Sequence, residues 1–61
     1  MPKFNVYKDK RGEWRWSLVA DNGNKIAASG EGYKEKTSCL DAIKSFKRDA
    51  PGANIVEETR P

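Results

Sequence analysis

Few side chains in this sequence have the types and spacing that catalysis needs. The sequence has four serines but no histidine, so the commonest general base and the usual activator of a serine hydroxyl are missing. Carboxylates do occur in pairs, at Asp9 with Glu13 and at Glu57 with Glu58. Each pair lies in a turn or near the chain end, without the apolar surroundings that would raise a pKa. We expect solvated charges here, and we expect no catalytic residues and no enzyme activity.

The single cysteine, Cys39, is the next candidate nucleophile. It falls on the apolar stripe of a predicted helix, where the ordinary role of cysteine is that of a small buried hydrophobic side chain. One cysteine without histidine allows neither an intrachain disulfide nor a Cys/His zinc site. We expect no cofactor and no metal, and the unpaired thiol is consistent with a reducing, cytoplasmic compartment.

The segment from Gly30 to Thr37 imitates a phosphate-binding loop, since Gly30 and four further residues precede Glu35-Lys36-Thr37. The motif needs glycine where Glu35 stands, because backbone N–H groups must close around the phosphate and a carboxylate repels it. The 61 residues also leave no room for the parallel α/β sheet that carries such a loop. We interpret the segment as a connection from a strand to a helix.

Three segments in the first half of the chain show the alternation of apolar and polar residues that is typical of strands: 3–8, 13–20 and 25–29. Gly12 and the Asn22-Gly23 pair separate them and supply the positive φ that hairpin turns require. The pattern predicts a three-stranded antiparallel meander. Its predicted core face carries Phe4, Val6, Trp14, Trp16, Leu18, Ile26 and Ala28.

The apolar period changes after Tyr33 and predicts a helix over residues 36–49. Its apolar stripe faces the sheet and comprises Cys39, Leu40, Ile43, Phe46 and Ala50. Pro51-Gly52 ends this helix. Residues 53–58 contain two adjacent β-branched residues and predict a fourth strand. The order βββαβ indicates a two-layer α+β fold, one domain over residues 1–61, with the helix on one sheet face. The fourth strand has two possible partners, its own sheet or the sheet edge of a second chain.

The size and charge of the chain bear on its partners. A chain of 61 residues and 6.9 kDa buries a small core, and without a disulfide or metal the support that remains is oligomerisation. The net charge of +3 is spread over 12 basic and 9 acidic residues, which permits a polyanion partner without requiring one. The longest apolar run has three residues, so we expect neither a membrane span nor a signal peptide. The candidate interaction surface comprises Tyr7, Lys8, Lys10, Arg15, Val19 and Val56.

Five short runs in this order resemble the YegP-like family of small bacterial and archaeal domains. They are Phe4-Asn5-Val6-Tyr7-Lys8-Asp9, Gly12-Glu13-Trp14-Arg15-Trp16, Asn22-Gly23, Ser29-Gly30-Glu31-Gly32-Tyr33 and Asp49-Ala50-Pro51. The resemblance implies a βββαβ unit that occurs as a tandem repeat or as a single unit that self-associates. For the single unit present here it implies a homodimer, and it implies no catalytic residues and no cofactor.

Two functional hypotheses follow from the sequence. The first is a non-enzymatic, homodimeric interaction module whose partner is a second copy of itself or an unidentified protein. The alternative is weak binding of nucleic acid, through the basic sheet face and the first hairpin, with Tyr7 as a stacking side chain and Arg15 as a phosphate contact.

Overall fold

The computed structural model describes residues 1–59, in which one helix lies against one face of a three-stranded sheet. The strands are β1 (Lys3–Lys8), β2 (Trp14–Val19) and β3 (Lys25–Ala28). The helix α1 (Lys36–Asp49) continues into a 3₁₀ turn at Ala50–Gly52. The sheet is antiparallel, in the order β1-β2-β3. The predicted α+β fold, with a three-stranded meander and one helix, is confirmed.

Two glycines allow the tight turns of the meander. Gly12 has φ 80° and Gly23 has φ 87°, and a side chain at either position would be strained. At the first turn the N–H of Gly12 donates to the carbonyl of Asp9 at 3.0 Å, and the N–H of Asp9 donates to the carbonyl of Glu13 at 2.8 Å. This turn sets the register of β1 on β2, because it places Lys8 directly opposite Trp14.

The core lies between the sheet and α1 and is built around an aromatic cluster of Phe4, Trp16 and Phe46. The Trp16 ring meets the Phe4 ring at 5.5 Å and the Phe46 ring at 5.3 Å between centroids, both edge to face. Trp16, Cys39 and Ile43 are buried. The partly buried hydrophobic residues around them are Phe4, Val6, Trp14, Leu18, Ala27, Tyr33 and Phe46.

Ile26 does not take the core position that the alternation predicts for it. The register of β3 on β2 shifts, so that Leu18 pairs with Ala27 while the next residue, Val19, pairs with Lys25. Ile26 is the extra residue of this bulge, and Ala27 rather than Ile26 shares the core-facing side with Leu18. Ile26 is therefore 59% exposed. The core prediction for Ala28 is wrong for the same reason, because Ala28 pairs with Ser17 on the opposite side of the sheet and is exposed.

Leu40 is another residue that the core prediction misplaced. Cys39, Ile43 and Phe46 form the stripe of α1 that meets the sheet. Leu40 lies one residue from Cys39, which turns its side chain about 100° around the helix axis and leaves it 37% exposed. Among residues 1–59, no helix combines the length and the apolar character that a membrane span requires.

The chain after the 3₁₀ turn is extended and exposed. Residues 53–59 form no ladder with β1 or β3, so a fourth strand over 53–58 is not shown in a single copy. Ile55 and Val56 are 103% and 76% exposed. The two β-branched residues have a high β-strand propensity, but a strand also needs a neighbouring strand for its backbone hydrogen bonds.

The difference between two isoleucines tests this account of the core. We expect Ile43→Ala to lower the free energy of unfolding by about 2–4 kcal/mol, because it leaves a cavity beneath α1. Ile26→Ala removes the same atoms from an exposed side chain and should cost less than about 1 kcal/mol. Urea unfolding followed by tryptophan fluorescence measures both values. Equal losses would contradict the bulge register.

Candidate functional site

The first hairpin carries a polar cluster centred on the carboxylate of Asp9. Oδ1 accepts the backbone N–H of Arg11 at 2.9 Å and that of Glu13 at 3.0 Å. Oδ2 accepts Nε–H of Arg15 at 2.7 Å. Asp9 and Arg15 are each less than one-third exposed, at 19% and 32%. The carboxylate therefore closes the turn and compensates the guanidinium charge at the same time.

The bond to Arg15 is the largest cause that holds the pKa of Asp9 below its ordinary value. The backbone N–H groups of Glu13 and Arg11 lower it further, and partial burial of the carboxyl opposes them. The same bond raises the pKa of Arg15. Arg15 is thus held as a permanent cation whose charge is already matched within its own hairpin.

The structure distributes the predicted interaction residues over several places. Tyr7 and Arg15 are cross-strand partners, and Val19 lies further along β2 on the same side. This side is the open sheet face, because Phe4, Val6 and Trp16 alternate with these residues and pack toward α1. Lys10 lies in the first turn, Val56 lies in the extended segment, and Lys8 lies on the side of α1.

Lys8 belongs to a grouping that the sequence did not predict. Its Nζ lies 5.4 Å from the centroid of the Trp14 ring, and Nζ of Lys36, the first residue of α1, lies 5.4 Å from the same ring. Backbone bonds hold the connection before α1 against β2: Trp14 N–H donates to the carbonyl of Tyr33 at 2.6 Å, and Tyr33 N–H donates to that of Trp14 at 2.8 Å. The local signal for this arrangement was weak, because Lys36 is far from Lys8 in the chain.

The remaining chemistry-bearing groups are placed for packing. Cys39 is fully buried, and burial raises the pKa of its thiol, so a thiolate nucleophile is disfavoured. Tyr33 packs against the core, and burial is the first cause that raises the pKa of its phenol. Within residues 1–59 no three acidic or cysteine side chains gather in a group that could hold a metal ion.

Comparison with known proteins identifies the family. The family described as "Domain of unknown function (DUF1508)" matches residues 9–57. The chain belongs to this family. The YegP-like family is the same family, so the resemblance predicted from the five sequence runs is confirmed. A UPF0339 protein of Agrobacterium fabrum, Atu5359, is 52% identical over 59 residues, which cover 97% of this chain and 94% of that protein. A UPF0339 protein of Treponema denticola is 47% identical, over 90% of this chain and 93% of that protein.

Two solved structures share the fold. The NMR structure of a protein from Haloferax volcanii has a TM-score of 0.88 and 46% sequence identity, covering 93% of this chain and 95% of its own. The NMR structure of protein ATU0232 from Agrobacterium tumefaciens has a TM-score of 0.74 and 41% identity, covering 93% and 90%. The family description states no activity, so membership in DUF1508 assigns neither a substrate nor a partner.

The pair of Asp9 and Arg15 generates a pH prediction. Arg15→Met should raise the pKa of Asp9 toward its ordinary value, because the first cause of its lowering is removed. A pH titration of the Asp9 carboxyl carbon by NMR measures the change. Arg11→Met is the matched control, since Arg11 contributes only its backbone N–H and should leave the pKa in place.

The bond between Asp9 and Arg15 also makes the stability of the folded chain depend on pH. The pKa of Asp9 is lower in the folded than in the unfolded chain, so its stabilising contribution is complete above the unfolded value and is lost as the pH falls through the folded one. Arg15→Met should weaken the acid dependence of unfolding. An unchanged Asp9 titration in this variant would contradict the assigned cause.

Proposed function

We propose that this DUF1508 protein is a non-enzymatic interaction module that works as a homodimer, assembled through its C-terminal segment. The observation that carries the proposal is the exposure of Ile55 and Val56, at 103% and 76%, on an extended segment that pairs with no strand within residues 1–59. Two adjacent β-branched residues in water lose the burial that such side chains ordinarily gain in a sheet. A second copy of the chain supplies the missing partner.

The free edge of β1 offers the backbone groups for that partner. Asp9 pairs with Glu13 across the hairpin, so alternate residues of β1, beginning with Tyr7, direct their backbone groups toward β2. The backbone groups of Phe4, Val6 and Lys8 consequently point outward. Among residues 1–59 no strand pairs with this side of β1, which leaves a row of donors and acceptors open to an added strand.

An apolar groove lies beside this edge and fits the same role. The groove has a volume of about 360 Å³ and lies at the C-terminal end of α1, where it is lined by Ser45, Phe46, Asp49, Ala50 and Ala53. The ring of Phe46 also contacts the ring of Phe4 on β1, at 5.8 Å between centroids. A side chain on a strand added to β1 would therefore enter the groove beside Phe46.

The pleat of an added strand accommodates both apolar residues. Neighbouring residues of a strand point to opposite sheet faces, so one of Ile55 and Val56 would face the groove and the other the open face. The open face presents Tyr7, which is 41% exposed, and the predicted interaction residue Val19. Burial on both faces explains why the segment carries two apolar residues in succession.

The alternative hypothesis, weak nucleic-acid binding through the open face and the first hairpin, stays a prediction. Tyr7 and Arg15 are adjacent on that face, as stacking and phosphate contact would need. The guanidinium of Arg15 is bonded to Asp9, however, so its charge is compensated locally. This compensation favours the interaction module as the first proposal, with a second copy or an unidentified protein as its partner.

Replacement of the two exposed residues tests the dimer. We expect the wild-type chain to sediment as a dimer at micromolar concentration. Ile55→Ser with Val56→Ser should raise the dissociation constant by roughly 100-fold or more, since each buried side chain contributes about 1.5–3 kcal/mol. Asn54→Ser changes a polar residue of the same segment and should leave the mass distribution unchanged.

Mixed labelling locates the interface. A sample of ¹³C-labelled and unlabelled chains should give intermolecular NOEs between residues 53–58 of one copy and β1 of the other. Wild-type protein that stays monomeric, or a double serine variant that dimerises as wild type does, would overturn the proposal. Dispersed amide spectra of the variants ensure that loss of the dimer is not loss of the fold.

A further inference from the structure

Two ammonium groups converge on the half-buried ring of Trp14. Lys8 reaches it from β1, where it is the direct cross-strand partner of Trp14. Lys36 reaches it from the first residue of α1. Each Nζ lies 5.4 Å from the ring centroid, so the two nitrogen atoms are separated by no more than twice that distance. The fold, and not proximity in sequence, brings these cations together.

Neither cation has a carboxylate partner within the part of the chain that the structure describes. The ion pairs there join Met1 to Asp21, Arg15 to Asp9 and Arg48 to Asp49. Glu13 adjoins Trp14 in sequence and Glu35 adjoins Lys36, yet neither forms an ion pair with any of residues 1–59. An ammonium over an indole gains a modest attraction and keeps its N–H donors available to an anion.

The electrostatic potential around Lys8 and Lys36 favours the binding of an anion. Two like charges beside one ring repel each other, and a shared anion turns that repulsion into attraction. The first turn of α1 contains no acidic residue, and its N-cap, Glu35, makes no side-chain bond to the helix. The positive end of the helix therefore adds to the potential of Lys8 and Lys36, and the exposed carboxylate of Glu35 offsets part of it.

We propose that Lys8 and Lys36 bind a phosphoanion with several phosphate groups beside Trp14. Phosphate oxygen atoms accept short charge-assisted hydrogen bonds from ammonium groups, and linked phosphate groups can reach both nitrogen atoms, each of which lies 5.4 Å from the ring centroid. The phosphate belongs to a free phosphoanion or to the backbone of a nucleic-acid strand, and both present the same chemistry to the two lysines. The site lies on the side of α1 and uses neither Tyr7 nor Arg15 of the open face. Lys8 contributes its side chain here and only backbone groups to the edge proposed for the dimer, whereas Lys36 on α1 has no part in that edge.

The two indole N–H signals provide the test. The ¹⁵N-labelled full chain is titrated with tripolyphosphate in one series and with a thymidine pentanucleotide in another, at low and at physiological ionic strength. We expect saturable shifts of the Trp14 indole and of the amides of Lys36 and Thr37. The buried Trp16 indole serves as the internal control and should not move.

Charge-removing variants assign the site. Lys8→Gln and Lys36→Gln should each weaken binding about tenfold, the equivalent of one charge-assisted hydrogen bond. Lys44→Gln removes a charge from an exposed position of α1 away from Trp14 and should change affinity less than about twofold. Retained spectra of all three variants show that each is folded.

The two series also distinguish the source of the phosphate. Saturation by tripolyphosphate alone supports a free phosphoanion, and tighter saturation by the oligonucleotide supports a phosphodiester backbone. The proposal is overturned if neither ligand shifts the Trp14 indole at millimolar concentration and low ionic strength. It is equally overturned if Lys44→Gln weakens binding as much as Lys36→Gln, or if shifts appear at Tyr7, Lys10 and Arg15 without Trp14.

Discussion

The packing of the Trp16 ring between strand and helix is the interaction on which this small fold depends. Trp16 lies on the central strand, and its ring meets Phe4 from β1 and Phe46 from α1, edge to face. One side chain on β2 thereby packs against both β1 and α1. Cys39 and Ile43 complete the layer under α1, and the other apolar residues around it are only partly buried. The aromatic cluster supplies much of the buried area that a chain of 61 residues can assemble.

The limited core explains why so much apolar surface stays outside. Within residues 1–59 no helix or strand covers the sheet face that carries Tyr7 and Arg15, and the segment that carries Ile55 and Val56 pairs with no strand. The sheet also ends in an unpaired edge at β1. The unpaired edge of β1 can accept an added strand, and the exposed β-branched residues lie on a segment that could form one. The small core and the proposed self-association therefore both follow from the short length of the chain.

The charged residues divide into compensated and uncompensated groups, and the tertiary structure makes the division. Asp9 accepts hydrogen bonds from two backbone N–H groups and from Arg15. The charge of Arg15, the residue predicted from the sequence to contact a polyanion, is therefore already balanced. Lys8 and Lys36 instead both approach the ring of Trp14, and neither forms an ion pair with a carboxylate of the described residues. A net charge of +3 gives the balance of the whole chain and says nothing of where the unmatched charges gather.

Local physical chemistry determined much of this protein from its sequence. Alternation of apolar residues gives the strands, the need for positive φ at Gly12 and Gly23 gives the turns, and the helical spacing of Cys39, Ile43 and Phe46 gives α1. The family, too, was readable from short runs of residues. Tertiary structure alone decided the exposure of Ile26, the meeting of Lys36 with Trp14 and the absence of a strand ladder at residues 53–59. Each of these depends on a bulge, a neighbour or a partner strand contributed by distant parts of the chain, and local periodicity carries no information about such contacts.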